Sequence, residues 1–251
     1  MMTRSDSSLG PRTLDTLPET HACFGCDARA TAVCGVLDQG ALAKMRALGG
    51  TQRLKTGEAL FHEGDAARQV YTLTRGALKL YKLLPDGRRQ VTGFMFPGDF
   101  LGITIEDEHA FTAESLDDAQ LCRFPRSRFD EFVGTHPKME RELYRMAAHE
   151  LAAAQQQMVL LGRKTAAERL ASFFLALLQR SEAATGASHR FIELPMSRSD
   201  VADYLGLTKE TVSRVLALLK RKRLIRLQAL DVVEVLDRPG LAHLAEGLAC
   251  E

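Results

Sequence analysis

Three cysteines near the start of the chain, Cys23, Cys26 and Cys34, form a Cys-x2-Cys-x7-Cys array, and Cys122 follows 88 residues later. Thiolates are soft ligands, so these cysteines, in an otherwise cysteine-poor chain, point to a metal or iron–sulfur site. Spacing alone leaves zinc and iron–sulfur both open. Zinc sites more often pair two Cys-x2-Cys knuckles, and only one such pair is present here. Cys250 stands outside any motif and reads as an incidental thiol. A second signature lies far downstream, where Glu210, Ser213 and Arg214 share one side of a helix and Val212, Val215, Leu216 and Leu219 take the other. An arginine can grip guanine O6 and N7 with two hydrogen bonds, a glutamate accepts from cytosine N4, and a serine hydroxyl serves either base edge. The plainer use of the same residues is a Glu210–Arg214 pair at i,i+4 with the carboxylate suiting the helix dipole.

Recognisable elements must position both groups. Ser197 is placed to cap a short helix with Asp200 three residues on, and Val201, Ala202 and Leu205 supply its apolar face. Gly206 makes the turn, and Thr208 caps the reading helix, which runs to about Lys222. The segments 224–226 and 232–236 then read as a small wing with its turn near Asp231. Upstream, Ala166 to Ala184 is a helix and Phe191 to Leu194 a short β segment. Between Leu54 and Phe124, short β-type runs alternate with glycine-bearing turns at Gly64-Asp65, Arg75-Gly76, Pro85-Asp86-Gly87 and Pro97-Gly98-Asp99, the pattern of an antiparallel roll or barrel. Within it, residues 78–83 alternate apolar and polar, as a strand with one wet face requires. After Pro137, the positions Leu143, Ala147, Leu151, Ala154, Met158 and Leu161 fall at spacings of three and four along one side of a helix. A helix of roughly 25 residues is about 38 Å long and outreaches a small roll. Its stripe is read as a two-fold seam between subunits, the alternative being packing on its own domain.

The chain's 251 residues are 45% hydrophobic and 26% charged, an ordinary globular composition with length for two small domains, which excludes disorder as the main state. The net charge of +1 announces no nucleic-acid partner for the chain as a whole, so basic surface must be local. From Met196 to Arg226 there are eight basic and three acidic residues, a net of +5, and DNA would bind there. From Asp99 to Asp118 there are seven acidic residues and no Lys or Arg. The first 20 residues lack the apolar core of a secretory signal, and the longest apolar run, Leu170 to Leu178, is too short to cross a bilayer. A cytoplasmic, reducing setting without membrane contact is expected, in which the cysteines are thiols or metal ligands rather than disulfides.

Several blocks resemble the cyclic-AMP receptor and fumarate-nitrate reductase regulator superfamily of bacterial transcription factors. They are the segments 57–65 (GEALFHEGD), 76–79 (GALK), 96–102 (FPGDFLG), 167–171 (AERLA) and 204–214 (YLGLTKETVSR). The likeness covers essentially residues 20–245 and implies an α+β fold. That fold comprises a cysteine-bearing tail over 1–36, a cyclic-nucleotide-binding-like β-roll (double-stranded jelly roll) over 37–135, a dimerisation helix over 136–163 and a winged helix-turn-helix over 164–251. In the oxygen-sensing branch the reading helix carries Glu-x-x-Ser-Arg, here Glu210, Ser213 and Arg214, which implies a palindromic TTGAT-type operator. Thr208, Lys209, Thr211 and Arg198 are its expected neighbours on DNA. That branch also holds an oxygen-labile 4Fe-4S cluster through cysteines matching Cys23, Cys26, Cys34 and Cys122, although the Cys26 to Cys34 interval is longer than in the best-known enteric version. The resemblance further implies a homodimer and a roll whose loops, Pro85 to Arg88 included, touch RNA polymerase; an ordinary hairpin turn explains that loop equally well.

Two other classes fit less well. A cyclic-nucleotide pocket of this family uses a Gly-Glu pair and a later Arg-Ser pair, whereas Gly102-Ile103-Thr104-Ile105 lacks the glutamate and the acidic stretch to Asp118 offers no arginine. A cupin-type metalloenzyme needs a His-x-His pair, and His62, His109 and His136 are dispersed.

Overall fold

The computed structural model describes Cys23 and residues 25–104, 106–229 and 231–248. Two 3-10 turns, Asp27–Ala30 and Val33–Val36, lead into α1 (Gln39–Ala47). Eight strands follow: β1 (Gly50–Leu54), β2 (Ala59–Phe61), β3 (Gln69–Arg75), β4 (Leu78–Leu83), β5 (Arg89–Met95), β6 (Phe100–Leu101), β7 (Thr112–Ser115) and β8 (Ala119–Pro125). They form two antiparallel sheets of order β1-β8-β3-β6 and β2-β7-β4-β5, the expected roll. Leu54, Tyr71, Leu73, Leu78, Leu101 and Leu121 fill its interior, because alternate strand residues face inward. Gly98, at φ +102°, lies so close to Thr31 of the cysteine segment that a Cβ there would strike the threonine side chain. Roll and segment therefore meet through a position only glycine fits comfortably.

The chain then turns helical: α2 (Arg126–Gly134), α3 (Pro137–Arg163) and α4 (Ala166–Thr185) precede β9 (Phe191–Glu193), α5 (Arg198–Leu205) and α6 (Lys209–Arg221). Strands β10 (Ile225–Leu227) and β11 (Val232–Val235) pair with each other and with β9, and α7 (Arg238–Ala245) closes the unit. Pro137 stands at the start of α3, where its missing N–H costs nothing. The Ser197/Asp200 capping box forms as read, and Thr208 accepts from the Thr211 backbone N–H. Gly206 ends α5 in the left-handed region at φ +61°.

Two expectations change. Lys79, on the face of β4 expected to be wet, is 7% exposed, because α5 covers that face. The stripe on α3 divides in three: Leu143 packs on the α2 side and Leu161 on the helix-turn-helix core, whereas residues 147–156 between them are exposed all round. Leu151 and Met158 show 62% and 72% of their surface.

Candidate metal centre and nucleic-acid interface

The 3-10 turns and α1 lie on the outer face of the β1-β8-β3-β6 sheet. There Val33, Leu37, Leu42 and Met45 pack with Val70, Phe124, Phe129 and Met139, and Cys23, Cys34 and Cys122 border the cluster. Cys122 on β8 pairs with Thr51 on β1 and Thr72 on β3, and Thr72 pairs in turn with Phe100. Directly paired residues share a face, so Thr51, Cys122, Thr72 and Phe100 form one row under the cysteine segment.

Burial pushes the Cys34 thiol up to about 12, and the neighbouring sulfurs of Cys122, Cys23 and Cys26 add to the rise. Burial raises Cys122 too; Arg46 opposes it, and Cys23 and Cys26 reinforce it. Cys23 is raised by burial against the pull of Arg46. The four cysteines separated by up to 99 positions thus share one electrostatic neighbourhood. In this arrangement, among the described residues, no three His, Cys, Asp or Glu side chains close on a common metal-ion position.

The donor chemistry nevertheless fits a soft metal group. Cys23, Cys34 and Cys122 border one apolar cluster and feel the charge of Cys26, a half-buried set of sulfurs whose protons a soft cation would displace. Beside Cys122, the Thr72 hydroxyl is buried and has no hydrogen-bond partner among the described residues, an orphan that an added acceptor would satisfy. The segment also touches the start of α3 through Met139, Leu143 and Met146.

At the other end, α6 buries Val212, Val215, Leu216 and Leu219 and leaves Lys209, Glu210 and Arg214 exposed, with Thr211 and Ser213 partly so. Glu210 is held below the usual carboxylate range by its own backbone N–H and the Thr208 hydroxyl, with Lys209 and Arg214 assisting. Among the described residues the plainer Glu210–Arg214 ion pair is not formed; Arg214 Nη2 donates instead to Thr211 Oγ1 at 3.0 Å. Thr208 is exposed, and Arg198, at the start of α5, is partly exposed on the adjoining surface. The polar side of α6 stands open, a shape suited to the major groove.

Roll and helix-turn-helix meet through a junction that sequence reasoning missed. Lys79 Nζ donates to Glu114 Oε1 at 2.8 Å and to Asp200 Oδ1 at 3.2 Å. Arg89 Nη2 reaches Asp200 Oδ1 at 2.8 Å and its Nε reaches Asp203 Oδ2 at 2.9 Å. Phe94 packs against Phe173 and Tyr204 beside these pairs. Arg169 donates to the carbonyls of Leu161 and Leu205, tying the end of α3 to the end of α5. No pattern in the linear sequence marks the partners that join roll to helix-turn-helix, since Lys79 and Arg89 lie more than 100 positions from Asp200 and Asp203.

Comparison with known proteins agrees with this architecture. A cyclic nucleotide-binding domain model matches residues 51–136 and a Crp-like helix-turn-helix domain model matches 168–244. The nitrogen fixation regulation protein FixK of Bradyrhizobium diazoefficiens is 43% identical over 204 residues, covering 81% of this chain and 86% of that relative. The chain belongs to the CRP/FNR family of transcription regulators. Other relatives in the CRP/FNR family are the transcriptional activatory protein AadR of Rhodopseudomonas palustris, 42% identical across 90% of this chain and 92% of its own length, and the transcriptional activator protein FnrA of Stutzerimonas stutzeri, 37% identical across 77% and 80%. The solved structure of FixK2 from Bradyrhizobium japonicum superposes with a TM-score of 0.73 at 36% identity, covering 81% of this chain and 98% of that one. As a CRP/FNR regulator the protein binds DNA and is not an enzyme, which disposes of the metalloenzyme alternative. Among the described residues no helix is long and apolar enough to cross a membrane.

Proposed function

We propose that this protein is a dimeric regulator of the anaerobic or microaerobic response that holds a 4Fe-4S cluster through Cys23, Cys26, Cys34 and Cys122 and reads a palindromic TTGAT-type operator with Glu210, Ser213 and Arg214. The observation that carries the reading is that Cys23, Cys34 and Cys122 border one apolar cluster with the base of α3, a helix whose Leu151 and Met158 are exposed farther along. When bound, the cluster supplies an oxygen-labile anchor between the cysteine segment and the roll. Everything downstream is the work of the chain itself. The anchored segment braces Met139 and Leu143; Leu151, Ala154 and Met158 meet their counterparts across a two-fold axis; and two α6 helices take positions about 34 Å apart. Arg198, Thr208, Lys209 and Thr211 flank the reading residues and grip phosphate.

The functional division follows the same outline: tail 1–36, roll 37–135, dimerisation helix 136–163 and winged helix-turn-helix 164–251. The turn at Pro85 to Arg88 carries exposed Leu83 and Leu84 at its base and serves as a contact for RNA polymerase. FnrA and Anr activators among the relatives support the oxygen-responsive reading. A cyclic-nucleotide effector is disfavoured, since the segment after Gly102 lacks the glutamate and the acidic stretch to Asp118 offers no arginine for a phosphate. A second reading, a regulator with zinc or another non-iron–sulfur cysteine site, draws on the donor set itself, since four thiolates also hold zinc tetrahedrally. Operator binding measured by fluorescence anisotropy under argon and after admission of air tests the first reading. It expects affinity to fall at least tenfold in air. Equal affinity in both gases contradicts it.

A further inference from the structure

Resting on the cluster reading above, we infer that Thr72 and Arg46 are positioning residues for that group, the threonine by donating a hydrogen bond to sulfur at Cys122 and the arginine by offsetting the negative charge of the thiolates. Thr72 is 3% exposed, sits directly beside Cys122 across the β3–β8 pair, and its Oγ1 has no partner among the described residues. A valine would fill the same strand position without leaving an orphaned hydroxyl, so the threonine is a net cost to the roll unless something at the thiol site accepts from it. Its other cross-strand neighbour on that face is Phe100, which offers no acceptor side chain. Cys122 is the polar group that the register supplies.

Arg46 reaches the neighbourhood of Cys122 from the β1 side. It lies in the last turn of α1, and its Nη2 donates to Thr51 Oγ1 at 2.7 Å. Thr51 is the β1 partner of Cys122, so the hydrogen bond pins the guanidinium beside that thiol. Arg46 is the cation acting on both Cys23 and Cys122, and Arg29, held by the Leu37 carbonyl, adds a second charge on Cys23. A cluster held by four thiolates is an anion, and an anion half-buried among apolar side chains needs donors and positive charge around it. Hydrogen bonds to the sulfurs and nearby cations favour the more reduced, more negative form of such clusters and so raise the potential.

The test uses the full chain purified anaerobically, with iron and sulfide measured on the wild type first. Thr72→Val and Arg46→Gln are compared with Thr72→Ser, Arg46→Lys and the surface control Arg53→Gln. The readouts are the midpoint potential by dye titration and the half-life of bound iron under excess chelator. Thr72→Val and Arg46→Gln should each make reduction about tenfold less favourable, ~59 mV lower for a one-electron couple, and release iron several times faster. Thr72→Ser and Arg46→Lys should recover most of both values, and Arg53→Gln should match the wild type. Thr72→Val and Arg46→Gln proteins with wild-type potential and iron retention would overturn the inference while leaving the cluster reading intact, as would Thr72→Ser behaving like Thr72→Val. A wild-type protein without iron and sulfide would overturn the reading beneath it.

Discussion

Removing the carboxylate charge of Asp200 should loosen the helix-turn-helix from the roll. The Asp200 and Lys79 side chains are only 7% and 8% exposed, and Asp200 accepts from Lys79, Arg89 and both the hydroxyl and backbone N–H of Ser197. Burial alone would push this carboxyl up, but the Ser197 hydrogen bonds and the Lys79 charge outweigh it and hold Asp200 below its ordinary value. Asp200→Asn keeps the shape and an acceptor for the helix cap while leaving the Lys79 ammonium short of a buried partner. Breaking a buried pair on one side costs about 3–5 kcal/mol. Because Glu114 still neutralises Lys79, the lower end applies, about 3 kcal/mol. Lys79→Met should cost less, since Arg89 continues to serve Asp200. Urea unfolding of the two single variants and the double variant gives the coupling between the sites, expected at about 1–3 kcal/mol. Because the folded-state value of Asp200 is depressed, its contribution is complete above the unfolded carboxylate value of about 3.9 and disappears as the pH falls through the folded one. Single-variant costs below about 1 kcal/mol, the range of a solvent-exposed pair, or strictly additive costs, would refute a buried interdomain junction.

Leu151→Glu should convert dimer to monomer without lowering the thermal midpoint of the single subunit, because the leucine is 62% exposed there. Sedimentation should show association weakened at least tenfold for each ~1.4 kcal/mol lost. Arg214→Ala should cost about 1–3 kcal/mol of operator discrimination while leaving iron content unchanged, read by competition with scrambled DNA. His109, 6% exposed and stacked on Phe61 at 3.5 Å, has its basicity lowered by burial and by Arg126. The unfolded chain therefore takes up the proton first, and stability should fall as the pH drops below about 6.5, a decline that His109→Gln should flatten. Gly98→Ala should both destabilise the roll and impair iron retention, because the added methyl strikes Thr31 of the cysteine segment.

The roll, the long helix and the winged unit were legible because each obeys a local rule. Gly-punctuated β runs gave the strands, Pro137 and a three-four repeat gave α3, and Ser197, Gly206 and Thr208 gave the caps and turn that isolate α6. Short elements with mixed composition, such as α1, α2 and α7, carried no comparable periodic signal. Lys79 shows the limit most clearly. Alternation in β4 located it on the face opposite the roll interior, but only tertiary packing of α5 decided that this face would be dry. The α3 stripe likewise marked one continuous face, whereas its two ends are consumed by packing within the subunit. The cysteines were legible as a set of donors, but the row formed by Thr51, Cys122 and Thr72 depends on strand register, which no single strand specifies.

The measurement closest to the central claim is the iron, zinc and acid-labile sulfide content of anaerobically purified protein, with its visible spectrum before and after air. Ligation by Cys23, Cys26, Cys34 and Cys122 predicts about four iron and four sulfide per chain and a brown absorbance that bleaches on oxygenation. Replacing Cys122 with Ser should abolish it. Colourless protein carrying about one zinc per chain would contradict the account.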